Sequence, residues 1–302
     1  FVDVEEGTYC ININKIKKLI SNKTKAIVAP HLMGNIVDWK KIKKIIKKKK
    51  ILIIEDSADT LGATYRGMST GNLADISITS FYGSHIINCA GNGGMVCFND
   101  KKIYEKAKLL RSWGRSSSLY DEKSEKIENR FNTKLDGIQY DKKFVFSEIG
   151  HNLEPSEIGA AFGLVQLKKL KKNLSKRETN FKIHSQFLKK YEEFFIIPKQ
   201  LEGSKSGWLA YPVTIKDKAP FTRTELQIFL EKRNIQTRVV FTGNITRQPG
   251  FKKIKMVKDR TGYPEADKVM KNGILIACHH GLTKKMIKHI HSSIDHFLSK
   301  FQ

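Results

Sequence analysis

The stretch SFYGSHIINCAGNGG, Ser80–Gly94, sets a hydroxyl, an aromatic pair, an imidazole at His85 and a closing glycine pair directly after an apolar run. Two other runs end in groups able to do chemistry: KAIVAP is followed by His31, and ILII by Glu55 and Asp56. Such runs read as buried strands, and parallel sheets place their working residues at the carboxyl ends of strands. Three adjacent strands would then turn an imidazole, a carboxylate, and a hydroxyl with a second imidazole into one crevice. Alone, Asp56 reads as a helix cap and His85 as a core histidine, so it is their order and spacing together that carry weight. Lysine is absent from 51–100 in a chain otherwise crowded with it. Burial explains that scarcity, since an unpaired buried ammonium is costly, but not which residues stand in its place.

These clusters need elements to hold them. FVDV looks like a strand, and a helix is expected from about Asn14 to Ile20. The KAIVAP strand follows, then a helix in WKKIKKIIKKKK with Trp39, Ile42 and Ile46 on its apolar face, then the ILIIED strand. ISITSF and GGMVCFND add strands, and KKIYEKAKLLRSWG a helix. Strands alternating with helices predict an α/β fold, a mostly parallel sheet with flanking helices. Residues 116–143 are polar and aperiodic and read as an exposed excursion. Pro155 opens a long helix, after which short strands (WLAYPVTI, GILIAC) and helices (Arg223 to Lys232, Lys284 to Ser299) set a new rhythm. The change predicts a large domain over 1–175 and a small α+β domain over 176–302.

With 302 residues, 40% of them hydrophobic, the chain can bury a large core. No apolar run approaches the roughly 20 residues that cross a bilayer, and no signal-peptide pattern opens the sequence. The cysteines Cys10, Cys89, Cys97 and Cys278 are scattered and read as free thiols, which predicts a reducing, cytoplasmic setting. The net charge of +25 raises the question of nucleic acid. Its excess is mostly lysine spread over several helices, without interleaved aromatics or an RNA-binding motif, so no specific nucleic-acid partner is expected.

EDSADTLGATYRG followed by DISITSFYGSHIINCAGNGGMV resembles the DegT/DnrJ/StrS family of pyridoxal phosphate enzymes acting on nucleotide sugars. The resemblance runs from Phe1 to the end, through GHNLEPSEIGAAFGLVQL and TRVVFTGNITRQPGF. It implies fold type I, a homodimer with a shared active site, and a first family segment that would lie upstream of Phe1. That segment carries a phosphate-cradling turn and an aromatic that stacks on the cofactor. At the matched positions Asp56 would pair with the pyridine nitrogen and keep it protonated, making the ring an electron sink. Ala58 would let the ring lie close, and Asp59 would sit near the ring oxygen, where aminotransferases of the family usually have Gln. Ser80 would donate to the cofactor phosphate, and Asn152 would reach that phosphate across the dimer interface.

The departure is at His85, where the family's aminotransferases carry the lysine that holds pyridoxal phosphate covalently. Imidazole cannot do so. One subgroup has this replacement, the nucleotide 4-keto-6-deoxy-hexose 3-dehydratases, which use free pyridoxamine phosphate. The resemblance then implies that the cofactor amine condenses with the C4 ketone, His85 removes a proton from the cofactor's C4′ carbon, and the C3 hydroxyl leaves. An amino acid such as glutamate would restore the amine, and the sugar would serve lipopolysaccharide O-antigen or related deoxysugar synthesis. The subgroup's iron-sulfur branch clusters cysteines after W-G-R. Here Ser116, Ser117 and Ser118 follow, so no iron-sulfur cluster is expected.

Arg238, Asn244 and Arg247 are candidates for sugar or nucleotide contacts. His289, His291 and His296 read as surface positions on the last helix, and His31, His279 and His280 lack the spacing of a metal site. Two other readings share these residues: an aminotransferase using a lysine from elsewhere in the chain, and a non-catalytic relative that binds cofactor or nucleotide sugar.

Overall fold

The structure is a computed structural model that describes residues 1–47, 49–120, 127–257 and 259–301. Helix α1 (Ile13–Leu19) is capped two residues earlier than expected, because Asn12 rather than Asn14 accepts a terminal N–H. Strand β1 (Ala26–Pro30), helix α2 (Trp39–Ile46) and strand β2 (Leu52–Asp56) follow as their patterns predict. Asp38 caps α2, and Trp39, Ile42 and Ile46 form its buried face against Ile27, Ala29 and Ile53. Full burial of each such side chain stabilises the fold by roughly 1.5–3 kcal/mol. The short hairpin β3 (Thr64–Tyr65) and β4 (Met68–Ser69) leads to β5 (Ile76–Ser80) and β6 (Gly94–Phe98).

The four-stranded sheet runs β1-β2-β5-β6. Its first three strands are parallel, with Pro30 opposite Asp56 and Asp56 opposite Ile78. β6 returns antiparallel to β5, because residues 81–93 form a loop and no crossover helix. FVDV does not form a strand but a single bridge, Val4 to Ile11. Asp3 is drawn away to accept the N–H groups of Glu265 and Ala266, and pairs with Lys15.

After α3 (Lys101–Arg111), the polar excursion contains α4 (Ile127–Arg130) and a hairpin of β7 (Thr133–Leu135) and β8 (Ile138–Tyr140); its residues 121–126 lie outside the described residues. Pro155 sits just ahead of α5 (Glu157–Leu188), which is capped by Ser156. Residue 175 falls inside this continuous helix. Its first half meets the loop of Cys89 at Gly159 and Gly163, where an added Cβ would clash; its last turns enter the second core. That core is built on a sheet of order β12-β13-β11-β9, from β9 (Phe195–Ile196), β11 (Ala210–Ile215), β12 (Arg238–Val239) and β13 (Gly273–Ala277). Between them β10 (Ser204–Lys205) joins β3, tying the second half of the chain to the first. Phe181 stacks on Trp208 at 4.2 Å, and helices α6 (Arg223–Glu231), α7 (Pro264–Asn272) and α8 (Lys284–Leu298) complete this unit.

Candidate active site

The parallel register places the ends of β1, β2 and β5 side by side, so residues 31, 56–59 and 80–85 emerge at one edge of the sheet. Ser57 N–H donates to Ile78 O and Thr79 Oγ1 to Ser57 O, which stitches the β2 turn to β5. At the β2 end Asp56 Oδ1 accepts the Ala58 N–H, and at the β5 end Ser80 Oγ accepts the Tyr82 N–H. A Cβ at Gly94 would lie 3.0 Å from Thr79 O, so glycine lets β6 approach here.

Asp59 is buried at 6% exposure; its Oδ2 accepts the Met33 N–H at 2.9 Å, and its Oδ1 lies 3.8 Å from His85 Nε2. Burial raises the Asp59 carboxyl to about 6, with the Met33 bond opposing and the Asp56 charge adding to the rise. His85 is shifted the other way: partial burial lowers it, and Asp56 works against that. Its Nδ1 is buried without a partner.

His31 does not open into the crevice expected of it. Its Nδ1 accepts the Val37 N–H and its Nε2 lies 3.1 Å from Glu55 Oε2, both side chains being almost wholly buried. Burial would raise Glu55, but His31, Ser57 and Ser77 outweigh it and hold the carboxyl low. This network ties β1, β2 and β5 together from below. The sequence showed the residues but not that Glu55, alternating with Asp56 along the strand, faces the opposite side.

A cleft of about 1120 Å³ opens beside His85. One wall is residues 83–88; the other comes from the small unit and includes Arg177, Gln227, Arg238, His279, His280 and His289. Arg238 is therefore placed on the cleft. Asn244 and Arg247 are held elsewhere: both bond to Asp267 on α7. Asn152 is exposed, its Oδ1 accepting the Glu154 N–H.

Of the histidines read as surface, His289 and His296 are exposed as expected, while His291 is half-buried. His289 lines the cleft, and its Nε2 lies 2.9 Å from Arg233 O. His291 stacks on Phe187 at 3.9 Å and meets buried His184 at 3.0 Å. The helical period shows which face of α8 is apolar, but not that α5 overhangs its flank. Among the described residues no group of three or more His, Cys, Asp or Glu is placed to hold a metal ion, and no helix is long and apolar enough to cross a membrane.

The lipopolysaccharide biosynthesis protein RfbH of Salmonella typhimurium is 33% identical over 301 residues, which cover 98% of this chain and 68% of that protein. A dTDP-4-dehydro-2,6-dideoxy-D-glucose 3-dehydratase of Saccharopolyspora spinosa is 33% identical over 302 residues, 99% of this chain and 65% of that one. The chain thus spans about two thirds of the length of these relatives. Among solved structures, Escherichia coli GDP-4-keto-6-deoxy-D-mannose-3-dehydratase with bound hydrated pyridoxal phosphate superposes with a TM-score of 0.83 at 27% identity, covering 97% of this chain and 73% of its own. The fold is therefore that of the fold type I pyridoxal phosphate enzymes. With the model of the DegT/DnrJ/EryC1/StrS aminotransferase family matching residues 1–295, the chain belongs to that family.

Proposed function

We propose that the protein removes the C3 hydroxyl of a nucleotide-linked 4-keto-6-deoxyhexose, with pyridoxamine or pyridoxal phosphate at the sheet edge and His85 as base. The feature that carries this reading is His85: by the family resemblance its imidazole stands where the aminotransferases carry a lysine, and no lysine lines the cleft among the described residues. The relatives named as 3-dehydratases point the same way.

The residues present fit the cofactor. Asp56 offers a carboxylate at the β2 end, Ser80 a hydroxyl at the β5 end, and Ala58 no bulk between them. The His85 Nδ1 is a buried acceptor left without a partner. When bound, the cofactor supplies an electron sink beside the carbon that loses its hydroxyl. Asp56 would hold the ring nitrogen protonated, Asp59 would meet the ring oxygen, and Ser80 would fix the phosphate. His85 would take the proton whose removal starts the elimination. Arg238 would meet the sugar nucleotide across the cleft, with Asn244 and Arg247 bracing its loop through Asp267.

A homodimer belongs to this proposal. Ile149, Leu153 and Ile158 stand largely in water on either side of Asn152, an apolar stretch suited to a second copy that would carry Asn152 to the neighbouring phosphate. Residues 1–175 would hold the cofactor and 176–302 the sugar nucleotide. Glutamate would restore the cofactor amine, in the cytoplasm, toward a surface glycan.

Protein incubated with pyridoxamine phosphate, glutamate and a panel of nucleotide 4-keto-6-deoxy sugars yields, for one of them, a product lighter by one oxygen in mass spectrometry. An amino sugar as product would contradict the reading.

A further inference from the structure

We propose that Asp59 is the positioning residue of His85: it fixes the imidazole through Nε2, leaves Nδ1 to accept the proton, and stabilises the imidazolium that results. The inference rests on His85 acting as the base. The geometry behind it is a buried carboxylate whose two oxygens face different neighbours within the protein. Oδ2 accepts the Met33 N–H at 2.9 Å, and Oδ1 lies 3.8 Å from His85 Nε2. Met33 is itself buried in the core, with a left-handed backbone, φ 59°, that a β-carbon disfavours and the surrounding packing enforces. Asp59 is thereby anchored from behind and cannot follow a moving ring.

The two nitrogens of His85 are then unequal. Nε2 lies 3.8 Å from a carboxylate, within ion-pair range and beyond a hydrogen bond, and that charge favours the neutral ring with its proton on this nitrogen. Nδ1 is buried without a partner on a side chain that lines the cleft, and is the nitrogen with a free lone pair. A carboxylate behind an imidazole in this way sets tautomer and orientation and favours the charged ring once it forms. A glutamine at 59 would keep the Met33 bond but supply no charge. Burial raises the Asp59 carboxyl to about 6, so the carboxylate is ionised at neutral pH and loses its charge as the pH falls through that value.

The charged or titratable groups facing His85 are few. Asp56 ends β2, Asp59 lies on the turn that follows, and Tyr82 is on His85's own loop with ring centroids 6.1 Å apart. Across the cleft stand Arg177, Arg238, His279, His280 and His289. Asp59 is the anion among these within ion-pair distance of the ring.

The test is a titration of the His85 imidazole by NMR in histidine-labelled protein, its signal assigned by its loss in His85→Asn, together with the pH profile of turnover. In Asp59→Asn, which keeps an acceptor for Met33, the His85 midpoint falls by about one unit, as expected for loss of an opposite charge at this range. kcat falls by roughly ten- to a hundredfold with KM little changed, and the acid limb moves to lower pH. Asp59→Glu restores at least half of the midpoint shift. Asp59→Gln gives a second measure of the midpoint should the asparagine variant fold poorly. An unmoved His85 midpoint overturns the role of Asp59 whatever the rate does. A moved midpoint with an unmoved rate supports the pairing and overturns His85 as the base.

Discussion

At the scale of residues, the site is a division of labour between neighbours in sequence. Asp59 lies three residues beyond Asp56, and burial, with the Asp56 charge adding to it, pushes the Asp59 carboxyl up to about 6; Asp56, half-buried, accepts the Ala58 N–H at one oxygen. An ionised Asp56 facing a pyridinium is a charge-assisted hydrogen bond, of the order of 1.5–3 kcal/mol. Asp56→Asn should therefore weaken binding of pyridoxamine phosphate by roughly ten- to a hundredfold in a fluorescence titration; unchanged affinity would remove Asp56 from the ring nitrogen. The positions of Asp56 and Ser80 at strand ends were legible because each closes an apolar run that could only be a strand. Asn244 and Arg247 were not legible in the same way. Their partner, Asp267, is 23 and 20 residues further along, and no local pattern announces that α7 folds back to meet them.

At the scale of elements, β1, α2, β2 and β5 formed where period and composition put them, whereas the antiparallel turn of β6 and the length of α5 depended on tertiary contacts. The clearest case is the pair His184 and His291, joining α5 to α8. A carbonyl only accepts, so His184 donates from Nε2 to Ala277 O and accepts from His291 at Nδ1. Burial, the largest cause for each, lowers both imidazoles to about 4. An unfolded histidine titrates near 6.5, so between these values the unfolded chain binds protons that the fold refuses. The contribution is present above about pH 6.5 and is lost as the pH falls toward 4. Urea midpoints should drop over that window more steeply in the wild type than in a His184→Gln/His291→Gln protein; equal slopes would show that the pair does not titrate with unfolding.

At the scale of the whole molecule, two cores built on two sheets are held by one helix, α5, and by the β3–β10 pairing, and the cleft lies where they face each other. Neither sheet alone supplies both walls. The net charge of +25, the most conspicuous property of the sequence, takes no part in that geometry: no lysine is among the described residues that line the cleft. What the sequence could not show is which small-unit side chains form the far wall, because His279, His280 and His289 come from a loop and a helix whose approach is set by packing. The chemistry of the assembled cleft turns on whether His85 is a base or a bystander. The direct measurement is ammonia released from a nucleotide 4-keto-6-deoxy sugar in the presence of pyridoxamine phosphate, compared between wild type and His85→Asn. A base contributes on the order of a hundredfold to ten-thousandfold, so release should fall by that factor while cofactor binding persists. Undiminished release by His85→Asn would contradict the assignment.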